Sequence, residues 1–109
     1  MIVTTTPEIC GKEIVETMGL VRGSTVRGKH MGKDLLAFFR NMVGGEIPEY
    51  SKMLAESREQ ALDRMMSDAE KLGANAIVGA RYSTSHITTG AAEILVYGTA
   101  VKIEKMDKK

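Results

Sequence analysis

The sequence predicts an α+β fold in two layers: an antiparallel sheet packed against one long helix and one short helix. Three observations predict it. A long apolar stripe at three- and four-residue spacing runs from about Glu49 to Leu72 and closes on Gly73. Two runs with strand-like composition, Ala76 to Ile87 and Ala91 to Ile103, flank Thr88-Thr89-Gly90, a hairpin connection that contains glycine. The second of these runs carries apolar side chains on both of its faces.

The elements follow in order from the N-terminus. Ile2 to Thr5 suits a short extended segment, ended at the Thr6-Pro7 step because the residue before proline is pushed away from helix. A turn around Gly11 leads into Glu13 to Gly28. There Ile14, Val15, Met18, Leu20, Val21 and Val26 sit among threonines and spaced glycines, the pattern of a long bent or bulged strand. Gly19 and Gly23 are its expected bend points.

Lys33 to Val43 is apolar around most of a helix circumference, through Leu35, Leu36, Phe38, Phe39, Met42 and Val43, and Gly44-Gly45 ends it. Pro48 and Glu49 then open the long helix, since proline is tolerated in a first turn and acidic residues there complement the helix dipole. Leu54, Ala61, Leu62, Met65, Ala69 and Leu72 form its apolar stripe. Gly73 supplies the left-handed residue that stops it, and Asn75 suits the turn that follows. In the last strand, Ile94, Val96 and Ala100 point one way while Leu95, Tyr97, Val101 and Ile103 point the other. One helix covers one face of a sheet. The other face therefore calls for the short helix or a neighbouring subunit.

Composition bounds the function. At 109 residues the chain is one domain, residues 1–109, and is small enough to leave much apolar surface for partners to cover. Fifteen Lys+Arg against fourteen Asp+Glu leave a net charge of +1, which argues against a dedicated nucleic-acid binder. Lysines from Lys102 to Lys109 are interrupted by Glu104 and Asp107 and read as a solvated tail. A lone cysteine, Cys10, excludes an internal disulfide framework and fits the cytoplasm. No basic and apolar leader opens the chain, and no run approaches the roughly 18 apolar residues that span a bilayer.

Several blocks together resemble a family, the small bacterial and archaeal proteins of the YbjQ-like type, whose label names heavy-metal binding. They are Val26-Arg27-Gly28, Arg40 to Glu46 (Arg-Asn-Met-Val-Gly-Gly-Glu), Tyr50, Leu72 to Gly79 (Leu-Gly-Ala-Asn-Ala-Ile-Val-Gly) and Tyr97 to Val101 (Tyr-Gly-Thr-Ala-Val). With these blocks in order, the resemblance runs from about residue 2 to residue 104. The resemblance implies a dodecin-like subunit, with helix backing an antiparallel sheet, that assembles into a cyclic pentamer. It implies no assigned biochemical activity.

The residues offer limited chemistry. Soft metals want thiolate or imidazole ligands, and the supply is Cys10, His30 and His86, with no CxxC, HxH or HExxH spacing. Far apart in sequence, they suit a metal ion only if cyclic symmetry gathers several copies of one side chain. Glu56, Glu59 and Asp63 line one side of the long helix, where Lys52, Arg58 and Arg64 moderate their repulsion, the pattern of a solvated face. Met42, Met65 and Met66 sit at helical core positions and read as gap fillers.

Ser83, Thr84 and Ser85 beside His86 form no triad, because strand alternation puts Ser85 and His86 on opposite faces. Gly73 and Gly79 lack the lysine and the strand-before-helix order of a phosphate loop. The expectation is a cytoplasmic homo-oligomer that binds a small ligand or metal ion at subunit interfaces or on the central axis. The alternatives are an enzyme whose site is assembled between neighbours, using Arg27, Arg40, Glu46 and Tyr50 near the helix-helix turn, or a purely structural assembly.

Overall fold

The computed structural model describes residues 1–27, 48–88 and 91–106. Its elements are β1 (Ile2–Val3), β2 (Lys12–Arg27), α1 (Pro48–Lys71), β3 (Ala76–Thr88) and β4 (Ala91–Lys105). The expected short helix at Lys33 to Val43 lies outside the described residues.

The strands form one sheet in the order β1-β3-β4-β2. β4 pairs antiparallel with β3, as the hairpin reading requires, and also antiparallel with β2. The sheet as a whole is mixed, not antiparallel, because β1 runs parallel to β3, with Ile2 opposite Ala76 and Val3 opposite Ile77. Its pairing continues past Val3: Thr4 N–H donates to the Ile77 carbonyl at 2.9 Å, and Gly79 N–H to the Thr6 carbonyl at 2.9 Å. A parallel neighbour needs a crossover, and everything from β2 through α1 supplies it.

Helix α1 lies on one face. Ser57, Ala61, Met65 and Ala69, four residues apart, are fully buried against the sheet. They meet Val21 from β2, Ile77 and Ala80 from β3, and Ile94, Val96 and Ala100 from β4. Met65 is the largest side chain buried completely on the helix, worth about 1.5–3 kcal/mol of transfer free energy. Leu54 and Leu62 are partly buried at the margin. Leu72, expected in the stripe, is half exposed, and Ser57 takes a stripe position instead. The stripe ends one turn earlier because the chain already turns away at Gly73.

That turn is a complete Schellman cap. Gly73 (φ 85°) donates its N–H to the Glu70 carbonyl at 3.0 Å, and Ala74 donates to the Ala69 carbonyl at 3.0 Å. Ala69 and Ala74 both enter the core, which is the apolar contact that accompanies the motif.

A second cluster forms on the face opposite α1, called the helix-free face because no helix among the described residues covers it. Ala76, Val78, Val101 and Ile103 are buried there, with Ile9 and Ile14 packed on them. Of the two sets expected from alternation, Ile94, Val96 and Ala100 are buried against α1, whereas on the opposite face Val101 and Ile103 are buried, Leu95 is half-buried and Tyr97 is exposed.

β2 carries irregularities between Ile14 and Glu16 and between Thr17 and Gly19. Gly19 is therefore at a bulge, as expected. Gly23 is not a bend point, since pairing from Gly19 through Arg27 is unbroken. It is the place where the helix touches the strand: a Cβ there would sit 2.0 Å from the Ala61 carbonyl oxygen and 2.5 Å from the Met65 nitrogen. Nearby, the buried Thr25 hydroxyl donates to the Ser57 carbonyl at 3.1 Å. Gly79 has open space around it: a Cβ there would meet nothing within 4 Å. It serves the bulge between Val78 and Arg81 through its φ of 63°.

Candidate functional site

β2 is an edge strand, and α1 crosses it closely at Gly23. This leaves a shallow groove of about 440 Å³ along the outer flank of the helix, lined by Arg22, Gly23, Ser24, Arg64, Ser67, Asp68 and Lys71. The four helical residues fall at i, i+3, i+4 and i+7, so they share one flank. The guanidinium of Arg64 is held in place: its Nη1 donates to the Ser24 carbonyl oxygen on the edge strand. On the helical wall of the groove Arg64 and Lys71 flank one carboxylate, Asp68, while the Arg22 side chain belongs to the opposite face of the sheet.

The helix-free face of the sheet has a different character. Register places Arg22, Tyr97 and Arg81 side by side across β2, β4 and β3. Tyr97 is exposed, and so are Leu20 and Val26 on the same face of β2. Arg81 is tied down, its Nη1 donating to the Thr5 and Ala80 carbonyls, each at 2.8 Å.

Of the residues singled out from sequence, Cys10 is a free, exposed cysteine in the segment between β1 and β2. His30, Arg40 and Glu46 lie outside the described residues, as do the side chains of Arg27, Tyr50 and His86. The main chain of Arg27 pairs with Ala92 at the end of β2, that of His86 also pairs with Ala92 from the other side, and Tyr50 stands in the first turn of α1. Arg27 and His86 thus flank one residue of β4. Among the described residues no three His, Cys, Asp or Glu side chains gather as a metal site, and no helix is long and apolar enough to cross a membrane.

Arg22, Arg64, Ser67 and Lys71 are not residues to which the sequence alone points. Arg64, Ser67 and Lys71 are visible there as one helix flank, but charges at helical spacing also describe an ordinary solvated surface. Only the contact with β2 gives that flank a second wall.

Fold and groove together define a small two-layer α+β protein, a mixed four-stranded sheet backed by one long helix, with a shallow groove at its open edge. The chain belongs to the YbjQ family, whose model, described as "Putative heavy-metal-binding", matches residues 1–104. It is 59% identical over 103 residues to a UPF0145 protein of Methanosarcina acetivorans, covering 94% of this chain and 97% of that one. A UPF0145 protein of Thermotoga maritima is 55% identical over 106 residues, covering 97% of this chain and all of the relative. Among solved structures, a protein of unknown function from Pediococcus pentosaceus, assigned to the DUF74 family, superposes with a TM-score of 0.62 at 18% identity, covering 95% of this chain and 98% of the other. That likeness concerns the fold.

Proposed function

We propose that this chain is the subunit of a cytoplasmic, dodecin-like homo-oligomer, a ring of five, that binds a metal ion or small ligand at its subunit contacts and is not an enzyme. The observation that carries the reading is the sheet's open side. β2, sixteen residues long, is an edge strand, and Leu20 (71% exposed), Val26 (56%) and Tyr97 (39%) stand unburied on the helix-free face beside it. A long strand edge with apolar neighbours is a template for another chain, and a second copy of this one is the simplest occupant. The resemblance read from the sequence supplies the number five.

In such a ring, Arg27, Arg40, Glu46 and Tyr50 are the candidates to contact a small ligand, and Cys10, His30 and His86 to contact a metal ion. Each needs neighbouring copies to make a complete site. The heavy-metal description of the family supports the ionic half of this reading.

Light scattering on the untagged protein tests the assembly: a mass several times that of one chain is expected, and a monomer at micromolar concentration overturns it. Metal analysis of the same sample tests the ligand, with one ion per chain or per ring expected. Protein that retains none after purification in metal-containing medium would remove the metal half and leave the small molecule.

A further inference from the structure

We infer that Arg64 guards the flat half of the β2 edge, Gly19 to Arg27, against the addition of a strand from a second copy of this chain. The inference goes beyond the ring proposed above and holds whatever the oligomeric state, because the contact it rests on lies within one subunit.

The first support is the direction of the main chain. Asn75, which leads into β3, donates its N–H to the Val101 carbonyl, and its side chain bonds both main-chain groups of Ile103. At these residues the polar groups of β4 therefore point toward β3. The register shifts fall where β2 or β3 carries an extra residue, so the alternation continues unbroken along β4 to Thr99, Tyr97 and Leu95. Their partners on β2 are Leu20, Arg22 and Ser24. Pairs of this kind exchange no hydrogen bond, so the N–H and C=O groups of Leu20, Arg22 and Ser24 point out of the sheet at its edge.

The second support is where the sheet needs protection. Unpaired main-chain groups along a flat edge invite another strand, and native sheets blunt their edges with short strands, bulges and charged side chains. At the opposite edge β1 has only two residues, and Arg81 takes the Thr5 carbonyl just past it at 2.8 Å. The first half of β2 is broken by irregularities between Ile14 and Glu16 and between Thr17 and Gly19. Gly19 to Arg27 is left, paired without a break and furnished with the strand formers Val21, Thr25 and Val26. Here Nη1 of Arg64 donates to the Ser24 carbonyl, one of the outward groups.

The third support is placement. A Cβ on Gly23 would lie 3.0 Å from the Cβ of Arg64, so the missing side chain lets α1 set Arg64 down at the rim of the strand, beside Ser24. A strand arriving at this half must break a charge-assisted hydrogen bond and strip water from the guanidinium. A second copy on the open side is thereby left the helix-free face and the bulged half of β2. If the contact only fastened α1 to the sheet, its loss would weaken folding and leave assembly alone.

Incubation of the parent chain and Arg64→Ala at equal concentration, followed for days by light scattering and thioflavin T fluorescence, tests the guard. Arg64→Ala should keep the parent's circular dichroism spectrum, grow to several times the parent's mass and raise the dye signal. Arg64→Lys, which keeps a cation at the edge, should grow more slowly. Ser24→Pro supplies the control: the Ser24 N–H points outward, so proline there removes an edge donor and no bond of the β2–β4 ladder. Added to Arg64→Ala, it should return mass and dye signal to those of the parent. Arg64→Ala that stays at the parent's mass overturns the inference, and so does growth that Ser24→Pro leaves unchanged. Loss of the folded spectrum in Arg64→Ala would mark the contact as a fastening of the helix and overturn it as well. Growth is read against the parent, so a monomeric parent would overturn the ring and leave the guard.

Discussion

The side chain of Asn75 pairs with the main chain of Ile103 as if it were another stretch of strand. Its Nδ2 donates to the Ile103 carbonyl at 3.0 Å, and the Ile103 N–H donates to its Oδ1 at 2.7 Å. Asn75 N–H also donates to the Val101 carbonyl at 3.2 Å. The carboxamide therefore extends the β3–β4 ladder beyond Ala76, where the chain is still leaving the helix, and satisfies two groups of β4 that would otherwise lack a strand partner.

Asn75→Ala should lower stability by about 1–3 kcal/mol, since it removes two hydrogen bonds and leaves a main-chain N–H and carbonyl unpaired. Asn75→Asp keeps the acceptor for the Ile103 N–H but turns a carboxylate oxygen toward the Ile103 carbonyl, so it should not restore the loss. Urea unfolding measures both; an unchanged midpoint in Asn75→Ala would show the pairing to be dispensable.

Gly23 and Gly79 are glycines for different reasons, and substitution separates them. Gly23→Ala forces the helix off the strand, because its Cβ would meet two α1 backbone atoms at 2.0 and 2.5 Å; a loss of about 3 kcal/mol or more, or failure to fold, is expected. Gly79 has room but a φ of 63°, so Gly79→Ala should cost only about 1–2 kcal/mol. Gly79→Asn should be milder still, since asparagine tolerates that conformation. The same ranking at both sites would refute the distinction.

Met65→Ala removes the largest side chain buried completely on α1 and should destabilise by about 2–5 kcal/mol. Leu72→Ala, at a half-exposed position of similar helical spacing, should fall within about 0.5 kcal/mol of the parent. Equal losses at the two positions would mean that the helix packs in another register.

Leu20→Glu places a charge at the most exposed apolar position of the helix-free face. If a second copy covers that face, the variant should keep its circular dichroism spectrum and lose mass by light scattering. A variant that assembles as the parent does would locate the contact elsewhere.

Much of this protein is legible in its sequence because the signals are local. The Gly73 stop, the long helix, the β3–β4 hairpin and the two-faced β4 each follow from periodicity or from one residue's backbone preference, and all four stand in the structure. The family, too, can be read from short blocks such as Leu72 to Gly79.

The tertiary structure decided what depends on residues far apart in sequence. That β1 runs parallel to β3 is set by the crossover through β2 and α1, which no local pattern encodes. That Gly23 is a contact and not a bend is set by where α1 lands, thirty-eight residues further along at Ala61. The groove beside α1 is of the same kind: Arg64 and Ser24 lie forty residues apart in the sequence, and packing of the helix on an edge strand joins them. Sequence determines the elements because their hydrogen bonds and stripes are local. Only packing decides which side chains meet across them.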